Sequence, residues 1–454
     1  MSKERGGLDR ELLRLATPAI LSNLTVPLLG LCDTAVAGHL GSTAAIGAIA
    51  VGSMMMNVVY WLFGFLRMGT TGLGAEAFGM RDRSRCVDVL RKSLTIGLAV
   101  STVVLVFQKP LLASLLWLTD PGPGVAELSA RYFRICVWGV PAQLEIMAMT
   151  GWFLGMQNTR VPMVIAIGVN VVNIALNVAL GSMLGYGIAG VALGTTVSNW
   201  IGAVASGWVC LRWIRAPRHR ETESGRMADF RTMDWNPGKD SKVRWGRLFN
   251  VNSQLFVRSG CIMAVSLTMT ALGARMGELI LAANAVMMQF FIFFSYFMDG
   301  FAFAGEAMVG KYRGACQPVM VRRSVATLMR WGVGLAVLFL AVYATGGHGI
   351  VGLLTDRTEV VAEVDSMMLW VLLLPPLTVL AFVFDGVYIG LSRTAAMMWA
   401  TIAGAALFFA INFGAGRPAD NDVLWLGFEA YLVVRGVWLA INYMAKQRKL
   451  QEIS

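Results

Sequence analysis

Asp33 stands deep inside an apolar N-terminal stretch that is long enough to cross a bilayer. An ionised carboxylate at that depth costs about 2.5–3.5 kcal/mol on insertion scales, so such a residue faces a cavity or a partner. Apolar surroundings disfavour the charged form of a carboxylate and make proton binding easy. Asp33 is therefore a candidate coupling site of a membrane transporter. Asn170, Asn173 and Asn177 recur at i, i+3 and i+7 and share one helical face. At about 1.5 Å per residue, Asn177 lies roughly 26 Å from the cytoplasmic start of its helix, a depth similar to that of Asp33. Thr195 occupies a compatible depth in the next helix. These residues could line a polar pocket in the outer half of the first bundle; a ladder of amides holding helices together is the alternative.

Pro18 and Pro27 fall in the same helix as Asp33. Each removes a backbone hydrogen bond and makes bending easy. A kink that answers to the charge on Asp33 is one reading, and a static packing bend is the other. Further along, Asp299 and Glu306 stand seven apart on one helical face, and Asp385 lies two helices on. Carboxylates there are candidates for a cationic substrate or a second proton. The aromatic run around Asp299 suits lipophilic cations, yet it covers every side of its helix, so part of it must face core or lipid. Glu76 and Glu306 lie near cytoplasmic helix ends, close to Arg81 and Lys311, where ion pairs closing the inner side are expected.

The elements that position these residues are all helices. Apolar runs of membrane-spanning length give twelve of them, at about 11–37, 43–79, 88–118, 125–156, 160–183, 187–214, 247–273, 279–310, 320–354, 360–391, 394–413 and 422–445. Lys and Arg concentrate in alternate connections and at both ends, which places both termini in the cytoplasm. The basic stretch after Arg212 divides the chain into an N-lobe at 1–215, a linker at 216–246 and a C-lobe at 247–454. An internal repeat supports that division. Gly151-Trp-Phe-Leu-Gly155 matches Gly386-Val-Tyr-Ile-Gly390, and Gly386 follows Gly151 by 235 positions. Six-helix repeats keep one topology, so two bundles related by a pseudo-two-fold axis along the membrane normal are expected. The paired GxxxG runs also read as helix-packing motifs.

Composition narrows the function. Apolar residues make up 56% of 454 positions and charged residues 14%, against about 25% charged in soluble domains. Mean hydropathy is +0.63. This is a multi-pass protein of the inner (cytoplasmic) membrane, and its partners are the lipid bilayer and small molecules. The net charge of +11 sits in connections and does not point to nucleic acid. Six cysteines show no CxxC spacing, and three histidines form no HExxH, so no metal or other cofactor is expected. The basic start and apolar run resemble a signal peptide, but the run is too long and holds Pro18, Asn23, Pro27 and Asp33; it reads as a retained first helix. No GxSxG or paired GxGD occurs, so an intramembrane enzyme is not indicated, and the chain is taken as a monomer.

Several stretches resemble the multidrug and toxic compound extrusion family, specifically its DinF-like branch. They are Pro27-Leu-Leu-Gly-Leu-Cys-Asp33-Thr-Ala-Val-Ala-Gly-His39-Leu-Gly, Leu66-Arg67-Met-Gly-Thr-Thr-Gly72, Asp299-Gly-Phe-Ala-Phe-Ala-Gly-Glu306-Ala and Asp385-Gly-Val-Tyr-Ile-Gly390. The resemblance implies an antiporter that exports amphiphilic, often cationic compounds against an inward proton or sodium gradient. It implies that Asp33 is the principal protonation site, that Asn173 and Thr195 accompany it, and that Pro18 is where helix one bends. One departure stands out: where relatives often carry Asp one turn after that Asn, this chain has Asn177. A bare sodium ion needs several hard oxygen ligands, so proton coupling is the preferred expectation. The related lipid-linked precursor flippases are the alternative. Those need a basic cleft for pyrophosphate, whereas Arg67 and Arg258 are few beside Asp33, Asp299 and Asp385.

Overall fold

The computed structural model describes residues 2–38, 43–215, 242–414 and 420–452; side chains are described except at 2–5, 28–29, 31–38, 43–44, 123 and 448–452. Within these bounds the chain is helical, with no strand. The first six segments form α1 (Ser2–Gly38), α2 (Thr43–Leu62), α3 (Phe65–Gly79), α4 (Arg83–Val106), α5 (Gln108–Thr119), α6 (Pro123–Cys136), α7 (Val140–Gly155), α8 (Arg160–Leu176) and α9 (Gly187–Arg215). The last six form α10 (Trp245–Arg275), α11 (Glu278–Gly314), α12 (Pro318–Leu354), α13 (Thr358–Ser366), α14 (Met368–Gly390), α15 (Thr394–Phe413) and α16 (Asn421–Glu452). Ten spans among the described residues are long and apolar enough to cross a membrane. All twelve sequence segments are found as helix.

There are more helices than segments because several segments break, and the breaks have local causes. Segment two breaks at Gly64, and segment four passes through a 3₁₀ turn at Val137–Gly139. Pro141, near the start of α7, cannot donate to the preceding turn, so the α-helix restarts there. Segment five ends in a π-helical turn, Asn177–Met183. The reversal into α9 uses Gly185 at φ +71° and Gly187 at φ +56°, left-handed values that favour glycine. Helix α1 stays continuous through Pro18 and Pro27.

The packing divides the chain into two units. One comprises residues 21–249 and 314–316; the other comprises residues 1–20, 250–313 and 317–454. Within the first unit, Gly151 and Gly155 let α7 lie directly on α3. A Cβ on Gly151 would collide with the Arg67 carbonyl oxygen, and one on Gly155 would come 2.9 Å from the Ala75 nitrogen. Around them Phe78, Cys86, Met149, Trp152 and Phe153 form a buried cluster, with Trp152 Nε1 donating to the Cys86 carbonyl at 2.9 Å.

Within the second unit the same contact recurs between α14 and α11. A Cβ on Gly386 would meet the Ala302 carbonyl, and one on Gly390 would sit 2.9 Å from the Gly310 nitrogen. The GxxxG pairs are thus close-packing devices, and the repeat is a repeat of packing as well as of sequence. Part of the aromatic run of α11 is core. Phe290 and Phe294 are buried and meet Tyr343 and Phe339 edge-to-face, while Phe293 is exposed. Gly151→Val and Gly386→Val should each lower stability by about 3 kcal/mol through forced separation of the helix pair. Gly168→Ala, with no atom within 4 Å of the new Cβ, should leave thermal unfolding in detergent unchanged.

Candidate functional site

The first unit encloses a cavity of about 560 Å³, within the roughly 300–1,000 Å³ of sites for drug-sized ligands. Helices α1, α2, α6, α7, α8 and α9 all contribute to its wall. Thr25, Asn170, Asn173, Thr195 and Asn199 are among its polar lining residues, and Ile49, Met56, Ile165 and Val169 among its apolar ones. No charged side chain occurs among the described lining residues.

The amides of α8 and the π-turn after it are each held by hydrogen bonds. Asn170 Nδ2 donates to Thr25 Oγ1 at 2.9 Å, which ties α8 to α1. Asn173 Nδ2 donates to Thr195 Oγ1 at 3.1 Å and to Ser198 Oγ at 3.3 Å, both on α9. Asn177 Nδ2 donates to Asn173 Oδ1 at 2.8 Å. The structure therefore brings Asn173, Asn177 and Thr195 together. Asn177 is fully buried and is not a lining residue. It stands behind Asn173, crowded by Gly194, and orients the amide that does line the cavity. Asp33 belongs to α1, one turn after the lining residue Gly30; its side chain lies outside the described residues. Pro18 is buried and Pro27 exposed.

The acidic residues of the second unit are placed differently. Asp385 Oδ2 accepts from Arg258 Nη2 and from Arg435 Nη2, both at 2.5 Å. Arg435 also donates to the Tyr431 hydroxyl at 2.9 Å. One carboxylate thus meets two guanidinium groups, so Asp385 acts here as a counter-ion. Asp299 is half-buried and Glu306 buried on α11. Arg435 was legible only as one charge in an apolar helix. Glu429, buried on α16 with Oε1 lacking a hydrogen-bond partner among the described residues, carried the same faint signal.

At the helix ends, Glu76 meets Arg247 bidentately at 3.1 and 2.6 Å. Lys311 meets Glu11 at 2.5 Å, where the sequence suggested Glu306. Just before α10, Val243 is fastened to α4: its N–H donates to Asp88 Oδ2 at 2.8 Å, and its carbonyl accepts from Lys92.

The family model MatE matches residues 18–179 and again residues 255–413. The chain belongs to the MatE family. One match falls in each half of the chain, in keeping with the internal repeat. The first MatE match contains Asp33, Asn173 and Asn177, and the second contains Asp299, Glu306 and Asp385. The chain is 33% identical over 432 residues to DNA damage-inducible protein F of Escherichia coli (strain K12), which covers 95% of this chain and 91% of that relative. It is 25% identical over 450 residues to multidrug and toxin extrusion protein 1 of Danio rerio, covering 95% of this chain and 71% of the relative. Among solved structures, a crystal structure of MATE in the bent conformation matches with a TM-score of 0.80 at 16% identity, over 98% of this chain and 97% of that one. A MOP superfamily transporter from Pyrococcus furiosus matches with a TM-score of 0.79 at 14% identity, over 96% of each chain. The fold is that of a multi-pass membrane transporter.

Proposed function

We propose that this MatE protein is a proton-coupled antiporter of the cytoplasmic membrane that exports amphiphilic, cationic compounds by alternating access. The observation that carries the reading is the polar, uncharged cavity whose wall includes α1 one turn from Asp33. In such a site the carboxylate is the one strong attraction for a cation, and protonation removes it. Proton and substrate then exclude each other at Asp33, which is the requirement for exchange. The hydrogen-bonded chain of Asn177, Asn173 and Thr195 fastens α9 to the segment that carries the two asparagines and holds that part of the wall in register. Asn177 supplies an amide where a sodium site would gain from a carboxylate. Both termini are cytoplasmic, the working unit is a monomer, and Asp299 and Glu306 are candidates for a second acidic position.

The test is efflux of a fluorescent lipophilic cation from proteoliposomes. A pH gradient should drive transport, and a sodium gradient alone should not. Sodium-driven transport that persists with ΔpH collapsed would overturn proton coupling. Asn173→Ala should lower turnover roughly tenfold, since it frees Asn177 and removes a donor to Thr195, while changing stability by only about 1–3 kcal/mol.

A further inference from the structure

Helices α1 and α10 are each shared between the units, in reciprocal fashion. Residues 1–20 of α1 pack with the second half of the chain and residues 21–38 with the first; α10 packs with the first half up to residue 249 and with the second from residue 250. Each misplaced end is pinned by a charged pair. Glu11 receives Lys311 Nζ on one carboxylate oxygen at 2.5 Å and the Tyr312 hydroxyl on the other at 2.7 Å. Asp9 adds the Trp331 indole at 2.9 Å and Arg330. On α10, Arg247 forms its bidentate pair with Glu76.

The pairs occupy equivalent places with their charges exchanged. Gly386 follows Gly151 by 235 positions, and their backbone partners Ala302 and Arg67 keep that spacing. Lys311 follows Glu76 by the same 235 positions, and Arg247 follows Leu12, the neighbour of Glu11, by 235 as well. The helix that receives the foreign end is therefore acidic in one unit and basic in the other. Had both been alike, either end could dock in either place. With exchanged signs, Glu11 docked in the place of Arg247 would be repelled by Glu76, and Arg247 in the place of Glu11 would be repelled by Lys311.

We infer that Glu11–Lys311 and Glu76–Arg247 are permanent crossed anchors that make α1 and α10 the mechanical links of the transport cycle, Glu11 and Arg247 being positioning residues. Every carboxylate oxygen in the two pairs is satisfied, and Glu11 is buried, as suits a contact that does not open at each turnover. A change of the outer part of α1 on protonation then reaches the second unit through Glu11, because residues 1–20 cannot slide on it. This rests on the antiport reading given above.

Two measurements test it in reconstituted protein. With cysteines at 11 and 311 on a cysteine-free background, the unlinked protein should lose turnover roughly tenfold with KM little changed, as should Glu11→Gln, and joining the pair with a short bifunctional thiol reagent should restore gradient-driven efflux to within about twofold of wild type. Transport stopped by the cross-link, or wild-type turnover in both Glu11→Gln and Arg247→Gln, would overturn the inference. Hydrogen exchange provides a readout independent of transport. Residues 6–20 should stay protected at every pH tested and lose protection in Glu11→Gln; protection that comes and goes with pH in the wild type contradicts a permanent anchor. Failure of the wild-type chain to transport under any gradient would count against the antiport reading alone, and the exchange result would still decide the anchors.

Discussion

Asp33→Asn is expected to abolish gradient-driven efflux, lowering it at least about a hundredfold, equivalent to about 2.7 kcal/mol or more of lost driving coupling. The substitution keeps the size of the side chain and removes only its ability to alternate between charged and neutral forms. Insertion and thermal unfolding should therefore stay within about 0.5–1 kcal/mol of wild type. The combination of an intact fold with absent transport identifies a coupling residue. A parallel loss of folding would identify a structural one. Normal efflux by the variant would remove Asp33 from the mechanism.

The second large effect concerns stability. Asp385 neutralises two buried arginines on α10 and α16, and both guanidinium groups are almost fully enclosed. Removing the carboxylate alone leaves uncompensated buried charge, which costs about 3–5 kcal/mol. Asp385→Leu should accordingly lower the unfolding temperature in detergent sharply and reduce the amount of monodisperse protein. The triple variant R258L/D385L/R435L should recover most of the loss, since a neutral triad has no charge to bury. If the single variant is as stable as the wild type, the three side chains do not form the triad in the folded protein.

These two expectations differ in how much of their basis was legible in the sequence. Asp33 was conspicuous because a carboxylate in a long apolar run is costly wherever the run goes. The face shared by Asn170, Asn173 and Asn177 followed from helical periodicity alone, and in the structure Asn177 donates to Asn173, which donates to Thr195 and Ser198. That Asn177 lies behind Asn173 could not be read, because it depends on how closely Gly194 of α9 approaches α8. All twelve segments could be counted from length and hydropathy. Their interruptions at Gly64, at the 3₁₀ turn before Pro141 and at the π-turn after Leu176 could not, since each answers to local backbone geometry.

Charge pairing was the least legible feature. Asp385 was visible as an acid, and it invited a cationic ligand. The arginines that occupy it come from positions 127 residues before and 50 after, and only the packed bundle brings them there. Glu76 and Lys311 were assigned to the nearest opposite charges along the chain, yet each is met by a helix end from the other half. Sequence proximity decides an ion pair on a solvent-exposed helix. In a bundle with shared helices, the topology decides it instead.

The central claim is that Asp33 exchanges a proton for substrate. The most direct measurement is proton release from the purified protein in weak buffer when a lipophilic cation is added at a pH where the site is loaded. About one proton should leave for each substrate bound by the wild type, and none for Asp33→Asn. Substrate binding without proton release in the wild type, or undiminished release in Asp33→Asn, would contradict the account.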